Sequence, residues 1–416
     1  MILKKRVKGL FRGIVSLWIF GLGAADGVVD WDVELVLSAS VEKVDASARW
    51  WDGRPAHPRT IESGNEWDLR PVKWWGWTHG FWPGVLWMAV EAGGGEDVRA
   101  AAEVATNNMV HFTEKEARDH DLGFMIMGSI GKAYESEPTP ERAEQIIRGA
   151  EALLPLIDPD VGALFSWPQK ARRGEYAPYN SIIDSLLNQE LFFRASELSG
   201  DPKYRIAAIR HADRILATHI RSDYTSYHLA VFDDVTGVVL KRGTHQGYGA
   251  ESLWARGQAW GIYGFAMCYR ETGLARYRET ALKLAEVFMN LLPADKVPYW
   301  DFRDPEIPAA PRDASAAAIV AAGLLILAEE VPTEMAGPLV DKAEGLLQAL
   351  WHRCWSGDAN AALLSHSTGN RPRGSEVDVP LIYADYYFLE ALLRLQGIRA
   401  VQEKHTRSET HKNERL

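Results

Sequence analysis

Helical segments of two kinds take turns along this chain six times, and that alternation restricts the folds open to it more than any other feature. Segments of the first kind are amphipathic. Over 276–292, Tyr277, Ala281, Leu284, Phe288 and Leu292 recur at helical spacing, while Glu279, Lys283, Glu286 and Asn290 fall on another face. The stretches 32–48, 97–112, 141–154, 202–219 and 334–351 read the same way. Segments of the second kind are apolar or small nearly all round: 80–90, 121–134, 184–198, 257–269, 315–328 and 383–395. A helix without a polar face is buried on both sides. Outer helices with one wet side therefore alternate with inner helices, at roughly 65 residues per pair with loops, a spacing that suits a single domain. The expected architecture is all-α, an (α/α)6 toroid; an open solenoid would leave one face of its inner layer exposed. One segment reads as strand, a β-hairpin insertion at 227–241 around a Thr236-Gly237 turn.

The formal net charge of -10 sets up a field that repels polyanions, and no basic block offers a nucleic-acid footprint. Any anionic substrate must be held locally. The two cysteines, Cys268 and Cys354, are too few for a disulfide scaffold and lie in apolar helical surroundings that suit buried thiols. At the start, Lys4, Lys5, Arg6, Lys8 and Arg12 precede an apolar run at 14–20 and then Gly21, Gly23, Ala24 and Ala25. That order reads as a secretory signal peptide over 1–25, with a cytoplasmic protein as the alternative. The run falls short of the about 20 apolar residues a bilayer span takes, so no membrane partner is expected. The domain proper is placed at 26–400, and the polar end, 401–416, reads as a disordered tail.

Polar residues gather where the inner helices begin, in WTHGFWPG, DHDLGF, NSIIDSLLN, WARGQAW, PRDASA and YADYY. Helices running the same way bring these starts to one mouth, where positive dipole ends favour anions. Within 244–264, THQGYGAESLWARGQAWGIYG, Arg256 and Trp260 lie four residues apart and share one helical face. A forked cation beside a flat apolar plate suits an acidic sugar; the alternative is an arginine satisfied by internal carboxylates among core tryptophans. Asp121 and Asp184 each open an apolar inner helix, where a carboxylate either caps the helix or performs proton chemistry. Asp313 is read as a cap. Asn180 or Ser181 is able to cap the next helix, which leaves Asp184 inside its first turn. Paired carboxylates over a sugar are the usual equipment for glycosidic cleavage. His120, His228 and His245 lack HxH or HExxH spacing, so hydrogen bonding to hydroxyls or a carboxylate is favoured over metal ligation and no metal is expected. There is no Walker loop, dinucleotide fingerprint or GxSxG elbow, and no cofactor is expected. Sixteen tryptophans, among them Trp74, Trp75, Trp77, Trp82 and Trp167, favour a carbohydrate cleft although each one alone also suits a core.

With WTHGFWPGVLW, DHDLGF, NSIIDSLLN, THQGYGAESLWARGQAW, PRDASAAAI and DVPLIYADYYFLEALLRL in place, the chain resembles glycoside hydrolase family 88, the unsaturated glucuronyl hydrolases, from about residue 33 to 396. The resemblance implies a substrate made by polysaccharide lyases, an oligosaccharide of glycosaminoglycan type ending in a 4,5-unsaturated uronic acid. It further implies protonation at C4, hydration at C5, and rearrangement that expels the next sugar. By the same resemblance Asp184 is the acid and later the base, and Asp121 the second carboxylate. Gln246, Arg256, His228 and His245 match the polar wall around the uronate, with Thr244 opening the same run. Trp77, Phe124, Trp167 and Trp260 match aromatic walls, and His120 a supporting position. The segment 365–373 falls where family members contact the next sugar and its sulfate groups. An unsaturated rhamnogalacturonyl hydrolase and a non-catalytic carbohydrate-binding toroid are the competing readings.

Overall fold

The first helix shows how the sequence builds its outer layer. α1 (Val33–Trp51) buries Val33, Val36, Leu37, Ser40, Val44, Ser47, Ala48 and Trp51 in one stripe, and leaves Glu34, Ser38, Glu42 and Arg49 exposed. The computed structural model describes residues 31–413. Five further outer helices follow: α3 (Glu96–Asn107), α5 (Pro140–Leu153), α7 (Pro202–His219), α9 (Ala275–Leu291) and α11 (Thr333–Cys354). Between them lie the inner ones. These are α2 (Phe81–Glu91); α4, made of Leu122–Ile126, a π-helical turn Met127–Gly131 and Lys132–Ser136; α6 (Gln189–Ser199); α8 (Ala255–Thr272); α10 (Ala314–Glu330); and α12 (Ile382–Asn413). In α10 every residue from Ala314 to Ala328 is buried, as an inner helix requires.

Closure is a matter of neighbours. Each inner helix packs on the next, and α12 returns to pack on α2, so the inner layer is a ring. The toroid is thereby present and the open solenoid excluded. Local chemistry ends the helices where the ring needs corners. Thr139 and Asp201 cap α5 and α7 through the amides of Arg142 and Lys203, each followed by a proline in the first turn. Gly200 and Gly273, at φ of 72° and 68°, close α6 and α8 in the left-handed conformation. At the α2–α4–α12 contact only a glycine fits, because a Cβ on Gly84 would stand 2.4 Å from the Tyr386 ring and 2.5 Å from the Gly128 carbonyl.

Two small antiparallel sheets decorate the ring. β1 (Ala56–Thr60) pairs with β2 (Asp68–Pro71); β3 (Tyr179–Ile182), β4 (Leu229–Phe232) and β5 (Val239–Gly243) form the other, in that order. The expected hairpin at 227–241 is β4–β5. The strands β1, β2 and β3 are corrections to the sequence reading. In particular, Asn180 and Ser181 do not cap a helix but lie in β3, whose register sets Tyr179 opposite Phe232 and Ile182 opposite Leu229. Pairing decided it: Ile182 is buried with Leu229 and Val231, and Tyr179 with Ala230 and Phe232.

The signal peptide read over 1–25, with the start of the 26–400 domain, lies outside the described residues. From Val33 onward the chain is one unit. Among the described residues no helix is long and apolar enough to cross a membrane. α12 continues to Asn413, so helical backbone occupies most of the stretch read as a disordered tail.

Candidate active site

The starts of the inner helices do meet. A cavity of about 290 Å³ opens among Trp77 ahead of α2, Asp121 ahead of α4, Asp184 ahead of α6, Arg256 and Trp260 in α8, and Tyr383 in α12. Asp121 holds the N-cap position of α4 yet makes no capping hydrogen bond, so its carboxylate is not spent on the helix. Asp184 sits in a single 3-10 turn, Ile183–Leu186, directly after β3. That turn is pinned from both sides: the Ile183 amide donates to the His228 carbonyl at 2.9 Å, and Ser185 Oγ bonds Ile182 O and His211 Nε2. The β3–β4 pairing therefore aims the carboxyl of Asp184 into the cavity.

Water exclusion tunes these acids. Burial lifts Asp184 to about 6, with His120 opposing the rise and the charge of Asp121 adding to it. Burial likewise lifts Asp121 to about 7, opposed by Lys170. Asp119 also rises to about 7, through burial and then the charge of Asp121. Asp119 Oδ1 accepts from Trp75 Nε1 at 2.9 Å and from the Asp121 amide at 3.1 Å, so Asp119 and Asp121 are a held pair. Asp184 Oδ1, by contrast, is buried with no hydrogen-bond partner. A carboxyl that lines the cavity and keeps its proton to about pH 6 is equipped to donate it to whatever enters.

Three imidazoles surround the acids. His120 Nδ1 donates to Ser166 O at 2.9 Å and turns Nε2 toward Asp121 Oδ1, 3.2 Å away but not aligned for a hydrogen bond. His228 Nδ1 accepts from the amides of His245 and Gln246 and bonds Thr244 Oγ1. Its Nε2 consequently carries the hydrogen and points at Asp184 Oδ1 from 3.9 Å. Burial holds His228 well below its ordinary value, and His245 is lowered to about 3 by burial and then by Lys170, so both rings are neutral. Asp119, His120 and Asp121 also bring ligand atoms within 4.8 Å of one another, but Asp119 Oδ1 is already committed to Trp75 and the Asp121 amide.

The family profile described as Glycosyl Hydrolase Family 88 matches residues 54–374. The chain belongs to Glycosyl Hydrolase Family 88. An unsaturated glucuronyl hydrolase of Formosa agariphila is 39% identical over 328 residues, which are 77% of this chain and 80% of the relative. An unsaturated chondroitin disaccharide hydrolase of Streptococcus pyogenes serotype M1 is 35% identical over 76% of this chain and 80% of that one. A crystal structure of an unsaturated glucuronyl hydrolase specific for heparin superposes with a TM-score of 0.83 at 35% identity, covering 88% of this chain and 98% of that one.

For this family member, the cavity gathers Asp121, Asp184, His120, Trp77, Trp167, His245, Gln246, Arg256 and Trp260 from the residues singled out in sequence. Phe124, His228 and Thr244 stand behind its wall. Phe124 packs on Trp77, Phe81 and Trp260, with ring centroids 5.9, 5.8 and 5.5 Å away. Thr244 Oγ1 accepts from the Gly247 amide at 2.7 Å and shapes the loop that carries His245 and Gln246.

Arg256 has internal partners as well as a place in the cavity wall. Its guanidinium lines the cavity but spends three of its five N–H donors inside the protein: it is 1% exposed, with Nη1 on Asp313 Oδ2 at 2.6 Å and Thr368 O at 2.5 Å, and Nη2 on Gly369 O at 2.6 Å. The internal-carboxylate alternative is the one realised. The reading of Asp313 as a cap is corrected, since it occupies the N-cap position of α10 without a capping hydrogen bond and pairs with Arg256 and Ser315 instead. Arg256, helped by Gln246 Nε2 at 3.1 Å from Gly369 O, thus fixes the 368–369 corner of the cavity. Sequence reasoning missed Arg59, Lys170, Trp254, Ser375 and Glu376, whereas Gly369, Asn370 and Arg373 of the cavity wall fall in the 365–373 segment it had singled out. Arg59 lies on an unrecognised strand and bonds Glu376 through Nε and, at 3.2 Å, Nη2. The one available signal was Lys170, three residues after the flagged Trp167.

Proposed function

We propose that this chain is an unsaturated glucuronyl hydrolase that releases the terminal 4,5-unsaturated uronic acid from lyase-generated oligosaccharides of glycosaminoglycan type. The observation that carries the reading is the pair Asp121 and Asp184, lining one cavity with both carboxyls raised by burial. The relatives support the substrate class: they are named for glucuronyl, chondroitin and heparin substrates.

In this reading Asp184 gives its proton to C4 of the enol ether, and the double-bond pair forms the new C–H bond. The oxocarbenium centre left at C5 takes up water, whose proton returns to the Asp184 carboxylate. The resulting hemiketal opens the ring and leaves a hemiacetal at C1, which collapses to an aldehyde and releases the neighbouring sugar. Asp121 lines the same cavity, where its carboxyl oxygens accept from ring hydroxyls and turn lone pairs toward the developing cation. Trp77, Trp167 and Trp260 offer apolar faces to the ring and keep water scarce. Unsaturated chondroitin and heparin disaccharides should lose the ultraviolet absorbance of their conjugated double bond in the presence of the protein, and Asp184→Asn should abolish that loss. Unsaturated rhamnogalacturonan fragments should survive; their faster turnover would redirect the assignment. The basic start and the apolar run at 14–20 support export of the enzyme, which N-terminal sequencing of protein from the culture medium tests.

A further inference from the structure

We propose, building on the hydrolase reading, that Lys170 is the cation that receives an anionic group of the substrate. An unsaturated uronide brings a carboxylate, often with sulfate groups on the adjoining sugar, to a chain of net charge -10 and a cavity lined by Asp121, Asp184 and Glu376. It needs a local cation. The four cations around the cavity are Arg59, Arg256, Arg373 and Lys170. Arg256 already has a carboxylate partner in Asp313 and gives two further donors to backbone carbonyls, and Arg59 is paired with Glu376. Arg373 stands at the rim with 59% of its side chain exposed, 3.8 Å from Glu175, where solvent weakens any pairing.

Lys170 differs from all three. It ends in the cavity on a one-turn helix, Pro168–Ala171, with Nζ 3.6 Å from the centre of the Trp167 ring and 3.1 Å from His245 Nε2. His245 Nδ1 bonds Tyr176 Oη at 3.0 Å, and the neutral ring then offers Nε2 as acceptor to the ammonium. No carboxylate pairs with Lys170 among the described residues; Glu175, Asp121 and Asp119 act on it at longer range, against Arg373. An ammonium has three donors, and His245 takes one. The other two have no carboxylate within ion-pair distance among the described residues and are left for a ligand in the cavity. Burial lowers Lys170 to about 8, the direction expected of a cation left short of anionic partners.

The test uses Lys170→Met, which keeps a stem over Trp167 without the charge, and Lys170→Arg, which keeps the charge. Steady-state turnover is measured on two unsaturated disaccharides, one unsulfated and one sulfated on the second sugar. Lys170→Met should raise KM on the order of tenfold or more with a much smaller effect on kcat, and Lys170→Arg should recover most of it. An equal rise on both substrates identifies the uronate carboxylate as the partner; a rise confined to the sulfated one identifies the sulfate. Dissociation constants of the same disaccharides are read in parallel from tryptophan fluorescence, comparing Asp184→Asn with Asp184→Asn/Lys170→Met. Unchanged KM and unchanged affinity on both substrates would overturn the proposal. If the native protein turns over neither substrate, the hydrolase reading fails, while the affinity comparison still judges Lys170.

Discussion

Replacing Asp184 by asparagine should cost the enzyme its activity and make it more stable near neutral pH. Burial moves this carboxyl from an ordinary 3.8 to about 6 in the folded protein. The native state therefore keeps a proton that the unfolded chain releases. That contribution to stability is fully present below the unfolded value and is lost as pH rises from about 4 through about 6. Once pH exceeds the folded value, a gap of this size amounts to about 3 kcal/mol. The discount for solvent is small, because the side chain is 14% exposed. Asparagine has the same shape and no charge, so the variant escapes the penalty. Urea unfolding followed by tryptophan fluorescence at about pH 4 and about pH 7 measures it: the native protein should lose about 2 to 3 kcal/mol more than the variant between the two. Other acids titrate in both proteins and cancel to first order. Parallel losses in the two proteins would refute the argument that desolvation tunes this carboxyl, whatever happens to turnover. Turnover itself should fall by at least about 100-fold, the lower end of what general acid catalysis contributes.

The kcat/KM of the native enzyme should decline as pH rises past about 6, because Asp184 must be protonated to act; a flat profile through neutrality would remove it as the proton donor. Arg256→Met should destabilise the protein by about 3 to 5 kcal/mol, since it strands the buried carboxylate of Asp313 and frees the carbonyls of Thr368 and Gly369. An unfolding midpoint close to that of the native protein would show that the pair holds nothing. Gly84→Ala should cost about 1 to 3 kcal/mol, because its Cβ meets the Tyr386 ring and the Gly128 carbonyl at 2.4 and 2.5 Å. The same unfolding assay checks it.

The period of the apolar residues was enough to read twelve helices, and their alternation enough to read two layers, because burial on one face or two leaves a mark on every turn of a helix. Asp121 and Asp184 were legible as well, each a charge at the head of an apolar run. A residue's free valences are another matter. Arg256 reads in sequence as a cation beside Trp260, but its partners are Asp313, Thr368 and Gly369, on segments 57 to 113 residues further along. β3 was misread because four residues are too few to show a period, and Asn180 and Ser181 within it are also favoured helix caps. Its strand form depends on β4, about 50 residues away, which supplies its hydrogen bonds.

Lys170 shows the same division. Its one mark along the chain is Trp167, three residues before it, and only the approach of His245, 75 residues on, makes it a half-buried cation with no carboxylate paired to it among the described residues. Periodicity and local charge, repeated turn by turn, determined the ring and its two acids from sequence alone. Which polar groups are spent on the protein and which remain for a substrate was decided by tertiary contacts, because a hydrogen bond is satisfied in space, by whichever segment the fold brings within about 3 Å.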